Sequence, residues 1–208
     1  MSAHRPTGYL ALGDSYTIGE GVAEHERWPV RLAQALDEQG HDLAAPELIA
    51  TTGWSTDELL AALADQALRP PYRLVSLLIG VNNQYRGRDV DNYRAEFSEL
   101  LSFAVHLAGQ QAGRVLVVSI PDWGVTPMAR KEARDPQQIA AEIDAYNAVA
   151  RSASAAAGAR FVDVTAISRA CDGAPGMLVD DGLHPSAEQY ALWLAPIQAA
   201  AGECLASG

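Results

Sequence analysis

The chain has 208 residues, 49% of them hydrophobic and 20% charged, which suits a single soluble domain with one continuous core over residues 1–208. The 15 Lys and Arg stand against 26 Asp and Glu, and the net charge of −11 argues against nucleic acid or an anionic membrane surface as a partner. No apolar run is long enough to span a bilayer, and the segment Met1 to Thr7 has no apolar signal core, so a cytoplasmic protein without membrane insertion is expected.

Strand-like and helix-like segments alternate along the chain. The run Tyr9–Gly13 predicts a first strand, and Pro29 in the first turn with Gly40 at the exit predicts a helix from about Trp28 to Glu38. Leu48–Ala50 reads as the end of a second strand. Ser55-Thr56-Asp57-Glu58 has the form of a capping box opening a helix to about Leu68. Arg73–Ile79 is a near-continuous apolar run, the mark of a central strand covered on both faces. Tyr93, Phe97, Leu100, Leu101, Ala104 and Leu107 recur at helical spacing within Asp89–Gln111. Arg114–Ile120 predicts another buried strand, Pro136–Ala157 a helix and Arg160–Val164 a fifth strand. A last helix follows Pro185, with Pro196 as a point of kinking.

Five alternations of this kind predict an α/β fold, a three-layer sandwich around a doubly wound, five-stranded parallel sheet. Ligands of such sheets bind beyond the carboxyl ends of the strands. The residues with chemistry fall in the loops on that edge. Ser15 follows the first strand, where it serves either as a helix cap or as a nucleophile beside free helix N–H groups. Asp181 and His184, in Asp180-Asp181-Gly182-Leu183-His184-Pro185, are spaced so that both side chains turn to one side. A hydroxyl attacks a carbonyl only when a base takes its proton, and an imidazole does so best when a carboxylate fixes its tautomer. Asn82, after the third strand, is a turn residue or a neutral donor to an oxyanion, and Gly53 is a backbone donor or a conformational requirement; alone, each is undecided.

Other constellations are weaker. His4, His25, His41 and His106 have no comparable setting and read as structural. Asp14, Asp163, Asp180 and Asp181 with His184 lack metal-ligand spacing, and the glycines of residues 13–21 lack a phosphate-loop lysine, so no metal and no cofactor is expected. Cys171 and Cys204 form no disulfide framework and read as free thiols, with a bridge between them as the alternative. Ile18, Trp54, Tyr85, Trp123, Val125 and Met128 lie in loops on the same edge, and residues 123–128 are suited to a lid or acyl pocket.

Taken together, Gly13-Asp14-Ser15-Tyr16, Gly53, Gly80-Val81-Asn82 and Asp181-Gly182-Leu183-His184-Pro185 resemble, in order, the consensus blocks of the GDSL (SGNH) hydrolases. The blocks span almost the whole chain. The resemblance implies a flavodoxin-like sheet and a serine esterase or lipase-like activity on a small-molecule ester. It implies Ser15 as nucleophile, His184 as base, Asp181 as its partner, and Ser15 N–H, Gly53 N–H and the Asn82 amide as oxyanion donors. Tyr16 stands where the family name has leucine. Asn83 stands where many members have aspartate, which is expected to alter pocket polarity. Two other readings keep the fold: an acyltransferase using the same site, and a non-catalytic small-molecule binding module. The pattern carries no signal for oligomeric state.

Overall fold

The computed structural model describes residues 8–206. In chain order the elements are β1 (Tyr9–Gly13), α1 (Ser15–Ile18), α2 (Trp28–Glu38), β2 (Glu47–Ala50), α3 (Thr56–Ala64), β3 (Leu74–Leu78), α4 (Val81–Tyr85), α5 (Val90–Leu107), β4 (Val115–Val118), α6 (Pro127–Lys131), α7 (Pro136–Ala157), β5 (Arg160–Val162), α8 (Thr165–Cys171) and α9 (Ala187–Ala206). The five strands pair in parallel in the order β2-β1-β3-β4-β5. β1, β3 and β4 are buried along their whole length, as their unbroken apolar runs require, whereas β2 and β5 begin exposed at the sheet edges. Helices α2 and α9 pack together on one face, and α3, α5 and α7 pack in series on the other.

The elements missed by the sequence pattern are short. α1, α4, α6 and α8 have four to seven residues, too few turns to show a helical period. Boundaries shift where local hydrogen bonds intervene. The helix opened by Ser55 stops at Ala64, not Leu68, ahead of Pro70 and Pro71. α5 closes at Leu107 rather than Gln111, because the Gly109 N–H bonds the His106 carbonyl at 3.0 Å and the Gln110 N–H that of Val105 at 3.0 Å. β4 ends before Ile120, whose N–H and carbonyl are both taken by the Asn147 amide of α7, at 2.8 and 3.0 Å. β5 stops at Val162 because the Ser119 hydroxyl accepts the Val164 N–H at 2.8 Å. Helix α9 continues through Pro196.

The core positions the site directly. Gly13 pairs with Ala50 on one side and Leu78 on the other, so β1, β2 and β3 end level. The chain goes to one side of β1 to form β2 and to the other to form β3, which opens a crevice at the ends of β1 and β3. Fully buried Trp28 of α2 and Tyr190 of α9 both donate to the Tyr16 carbonyl, each at 3.1 Å, and pin α1 to the layer beneath it. On the other face the Tyr93 hydroxyl donates to the Ile79 carbonyl at 3.2 Å and fixes the end of β3.

Candidate active site

Ser15 is the first residue of α1, and Asp14 rather than Ser15 caps that helix. Asp14 Oδ1 accepts the Tyr16 N–H at 3.0 Å, which leaves the Ser15 hydroxyl out of the capping role. The close return of α1 onto β1 depends on Gly13, where a Cβ would lie 2.2 Å from Thr17 Oγ1 and 2.3 Å from the Leu78 carbonyl oxygen. Asp14 is wholly buried, and its Oδ2 has no hydrogen-bond partner among the described residues. Burial pushes its carboxyl up to about 7, with backbone hydrogen bonds at Tyr16, Asp14 and Gly80 opposing the rise.

His184 lies in the loop between α8 and α9. Its Nδ1 is 2.6 Å from Asp181 Oδ2, while Asp181 Oδ1 accepts the backbone N–H groups of Leu183 at 2.8 Å and His184 at 3.0 Å. The turn therefore holds carboxylate and imidazole as one unit. Burial alone would raise the Asp181 carboxyl, but the hydrogen bonds from the His184 ring and from the His184 and Leu183 backbone outweigh it and lower its pKa. The Tyr16 ring packs against the imidazole with centroids 5.7 Å apart.

Ser15, Gly53, Asn82 and His184 all line one cleft of about 250 Å³ at the crevice. Ser15 and His184 are 5% and 8% exposed, and no hydrogen bond joins the Ser15 hydroxyl to the imidazole. The Ser15 and Gly53 N–H groups donate to no acceptor among the described residues. Gly53 has φ +88°, a left-handed conformation that L side chains rarely adopt. Asn82 Nδ2 gives one hydrogen to the Trp54 carbonyl at 2.9 Å and keeps a second. The cleft thus gathers a hydroxyl, a carboxylate-bonded imidazole and three N–H hydrogens, from Ser15, Gly53 and Asn82, that have no acceptor among the described residues.

The apolar wall comes from Val81, Tyr85, Trp123, Met128 and Leu183. Trp123 Nε1 donates to Gln84 Oε1 at 2.8 Å, and Gln84 Nε2 to Glu142 Oε2 at 2.6 Å. The Arg134 guanidinium lies 5.1 Å from the Trp123 ring and 5.7 Å from the Tyr85 ring. Of the apolar residues singled out by sequence, Tyr85, Trp123 and Met128 line the cleft, whereas Ile18, Trp54 and Val125 do not. Tyr16, Thr52, Val81, Leu183 and Glu132 also line it. The first four each adjoin a recognised site residue, a signal that was available; Glu132 had none.

Asn83 departs from expectation. It is wholly buried away from the cleft, where its Oδ1 accepts the Thr56 N–H at 3.0 Å and its Nδ2 donates to Thr56 Oγ1 at 2.6 Å. It joins α4 to the start of α3 and does not set pocket polarity. His25, His41 and His106 lie outside the cleft; the readings of His4 and of the segment 1–7 fall outside the described residues. Asp163 bonds Arg151 at 2.9 Å and the Thr165 N–H at 2.9 Å. No group of three or more His, Cys, Asp or Glu suited to a metal occurs among the described residues. Cys171 and Cys204 are free and buried. No described helix is long and apolar enough to cross a membrane.

The cleft residues meet at the strand ends of a doubly wound sheet. The model of the GDSL-like lipase/acylhydrolase family matches residues 11–192. The chain belongs to that family and is an ester hydrolase by that membership. Among solved structures it is similar to TesA, with 20% identity, 95% of this chain and 99% of that chain covered, and a TM-score of 0.74. It is similar to a lipase/acylhydrolase from Enterococcus faecalis, at 23% identity over 92% and 94% of the two chains, with a TM-score of 0.67. It is also similar to phospholipase A1 from Streptomyces albidoflavus, at 20% identity over 92% and 98%, with a TM-score of 0.65. At these identities the likeness shows a shared fold. No curated protein matched the sequence.

Proposed function

We propose that the protein hydrolyses small neutral carboxylic esters through an acyl-enzyme on Ser15. In this reading Ser15 Oγ attacks the ester carbonyl as His184 Nε2 takes its proton, and Asp181 holds the Nδ1–H tautomer and stabilises the imidazolium. The C–O bond to the alkoxy group then breaks, and His184 returns the proton to the departing alkoxide. Water repeats the sequence on the acyl group and frees Ser15. The Ser15 N–H, the Gly53 N–H and the second Asn82 amide hydrogen receive the negative charge on the carbonyl oxygen.

One observation carries the reading: the Asp181–His184 pair, joined at 2.6 Å, shares a cleft with Ser15 and with N–H donors that no protein group occupies. The wall of Tyr85, Trp123 and Met128 supports an uncharged acyl or alkoxy group, and the net charge of −11 weighs against polyanionic substrates. The names of the similar structures, lipase/acylhydrolase and phospholipase A1, are consistent with a carboxylic ester as substrate.

The test pairs a fluorophosphonate probe with a series of p-nitrophenyl esters from acetate to decanoate. Ser15→Ala should lose labelling and about 10⁴–10⁶ in kcat while keeping its circular dichroism and Tm. Equal labelling of wild type and Ser15→Ala would remove Ser15 from the mechanism.

A further inference from the structure

We propose that Arg86 is a positioning residue that anchors the carbonyl side of Gly53 relative to Asn82 and so limits how the adjoining Gly53 N–H can turn away from the oxyanion; this rests on the acyl-enzyme reading above. Arg86 caps the C-terminus of α4, and its backbone N–H donates to the Asn82 carbonyl at 3.1 Å. Its side chain reaches the other segment of the site. Nη2 donates to the Gly53 carbonyl at 2.7 Å, and Nη1 to Ser55 Oγ at 3.1 Å and to Glu58 Oε2 at 3.0 Å. One residue therefore holds two of the three segments that carry donors.

Its neighbours explain why such a tether is needed. Residues 53–56 are each bonded to the α4 segment: Gly53 and Ser55 to Arg86, Trp54 to Asn82, and Thr56 to Asn83. Arg86 makes the only one of these bonds that reaches Gly53 itself. Beyond Gly53 and its two chain neighbours, no atom of the described residues lies within 4 Å of where a Gly53 Cβ would stand, so packing does not hold the turn from that side. The Gly53 carbonyl belongs to the 53–54 peptide, held by Arg86 and by the Trp54 N–H bond to the Thr51 carbonyl at 3.2 Å, while the Gly53 N–H belongs to the 52–53 peptide and reorients only through the Gly53 dihedrals. A guanidinium is suited to the task because its planar fork bonds a carbonyl on one arm and a hydroxyl and carboxylate on the other.

Magnitudes separate this from a purely structural role. The side chains of Arg86 and Glu58 are 39% and 42% exposed, and a pair that open contributes about 0–1 kcal/mol to stability. Arg88 supplies the internal control. It makes a similar bridge from the same turn to α3, with Nη1 2.5 Å from Asp57 Oδ1, but no bond to Gly53.

Arg86→Ala, Arg86→Lys and Arg88→Ala are compared by kcat, KM and Tm on p-nitrophenyl acetate and by the rate of fluorophosphonate labelling. Arg86→Ala should lower kcat about 10- to 100-fold with KM within about twofold, short of the 10²–10³ expected for losing a donor outright. Arg86→Lys, which keeps the charge but not the fork, should fall between, and Arg88→Ala should keep wild-type kcat. Added to Asn82→Ala, Arg86→Ala should cost less than it does in the wild type, because the donors act as a unit. A kcat within about twofold of wild type in both Arg86 variants, or an equal loss in Arg88→Ala, overturns the proposal. If Arg86→Ala fails to fold, the Arg86→Lys result decides. Loss of labelling in Ser15→Ala is scored separately, so failure of the Arg86 proposal is distinct from failure of the acyl-enzyme reading.

Discussion

Asn82 is the residue at which the competing roles of one amide are easiest to separate. As a turn residue it would need only its bond to the Trp54 carbonyl, whereas as an oxyanion donor it also uses its second amide hydrogen. Asn82→Ala removes both. If the second hydrogen stabilises the tetrahedral intermediate, kcat should fall by about 10²–10³ with little change in KM. A loss of tenfold or less in steady-state kinetics would reduce Asn82 to a loop tether. Ser15 teaches the same lesson from the other side. Its sequence context allowed a cap or a nucleophile, and the capping role is filled by Asp14, one residue earlier, whose carboxylate takes the Tyr16 N–H.

At the scale of elements, the cleft wall is built where α4, α6 and α7 and the segment between β4 and α6 meet. Trp123 is 2% exposed and is held by Gln84 of α4, which is in turn held by Glu142 of α7, while Arg134 covers the ring. A ring fixed on its edge and face cannot move aside for a longer chain. Trp123→Ala should therefore extend the p-nitrophenyl ester series that is hydrolysed, raising kcat/KM for octanoate relative to acetate by about tenfold, the scale of a 1.4 kcal/mol change in pocket fit. An unchanged chain-length profile would show that Trp123 only covers the core. The loss of a large buried side chain is also expected to lower stability by about 3–5 kcal/mol, so the profile is read below the variant's Tm.

At the scale of the whole molecule, two carboxyl groups beside the cleft bend the stability curve in opposite directions. Asp14 is raised to about 7 in the folded chain against an ordinary value of 3.8. Below its unfolded pKa both states are protonated. As pH rises toward 7 the unfolded chain ionises first, so stability is lost across that window. Asp181 is lowered, and its contribution is present above its unfolded pKa and lost as pH falls through the folded value. Asp14→Asn keeps a good cap and cannot ionise. Urea unfolding at pH 4 and pH 8 should show the wild type losing about 2–4 kcal/mol more than this variant between them. Parallel behaviour of the two proteins would mean that Asp14 is ionised in the folded state at neutral pH.

The sequence by itself determined the strands, the long helices and the order of the site blocks. Apolar runs such as Leu74–Leu78 and the helical period from Tyr93 to Leu107 are local consequences of burial on two faces or on one, and they survive without knowledge of the fold. It also singled out Ser15, Asp181 and His184, and the short spacing of Asp181 and His184 made their pairing legible because a single turn brings them together. Only the tertiary structure decided what depends on segments distant in sequence. It brought Gly53 and Asn82 to the cleft of Ser15 through the level ends of β1, β2 and β3. It sent Asn83 inward to Thr56 while Asn82, one residue away, faced the cleft. It also joined Arg86 to Gly53 across 33 residues. Side-chain direction within a one-turn helix and partners across a sheet edge leave no periodic trace in the chain, so packing alone assigns them.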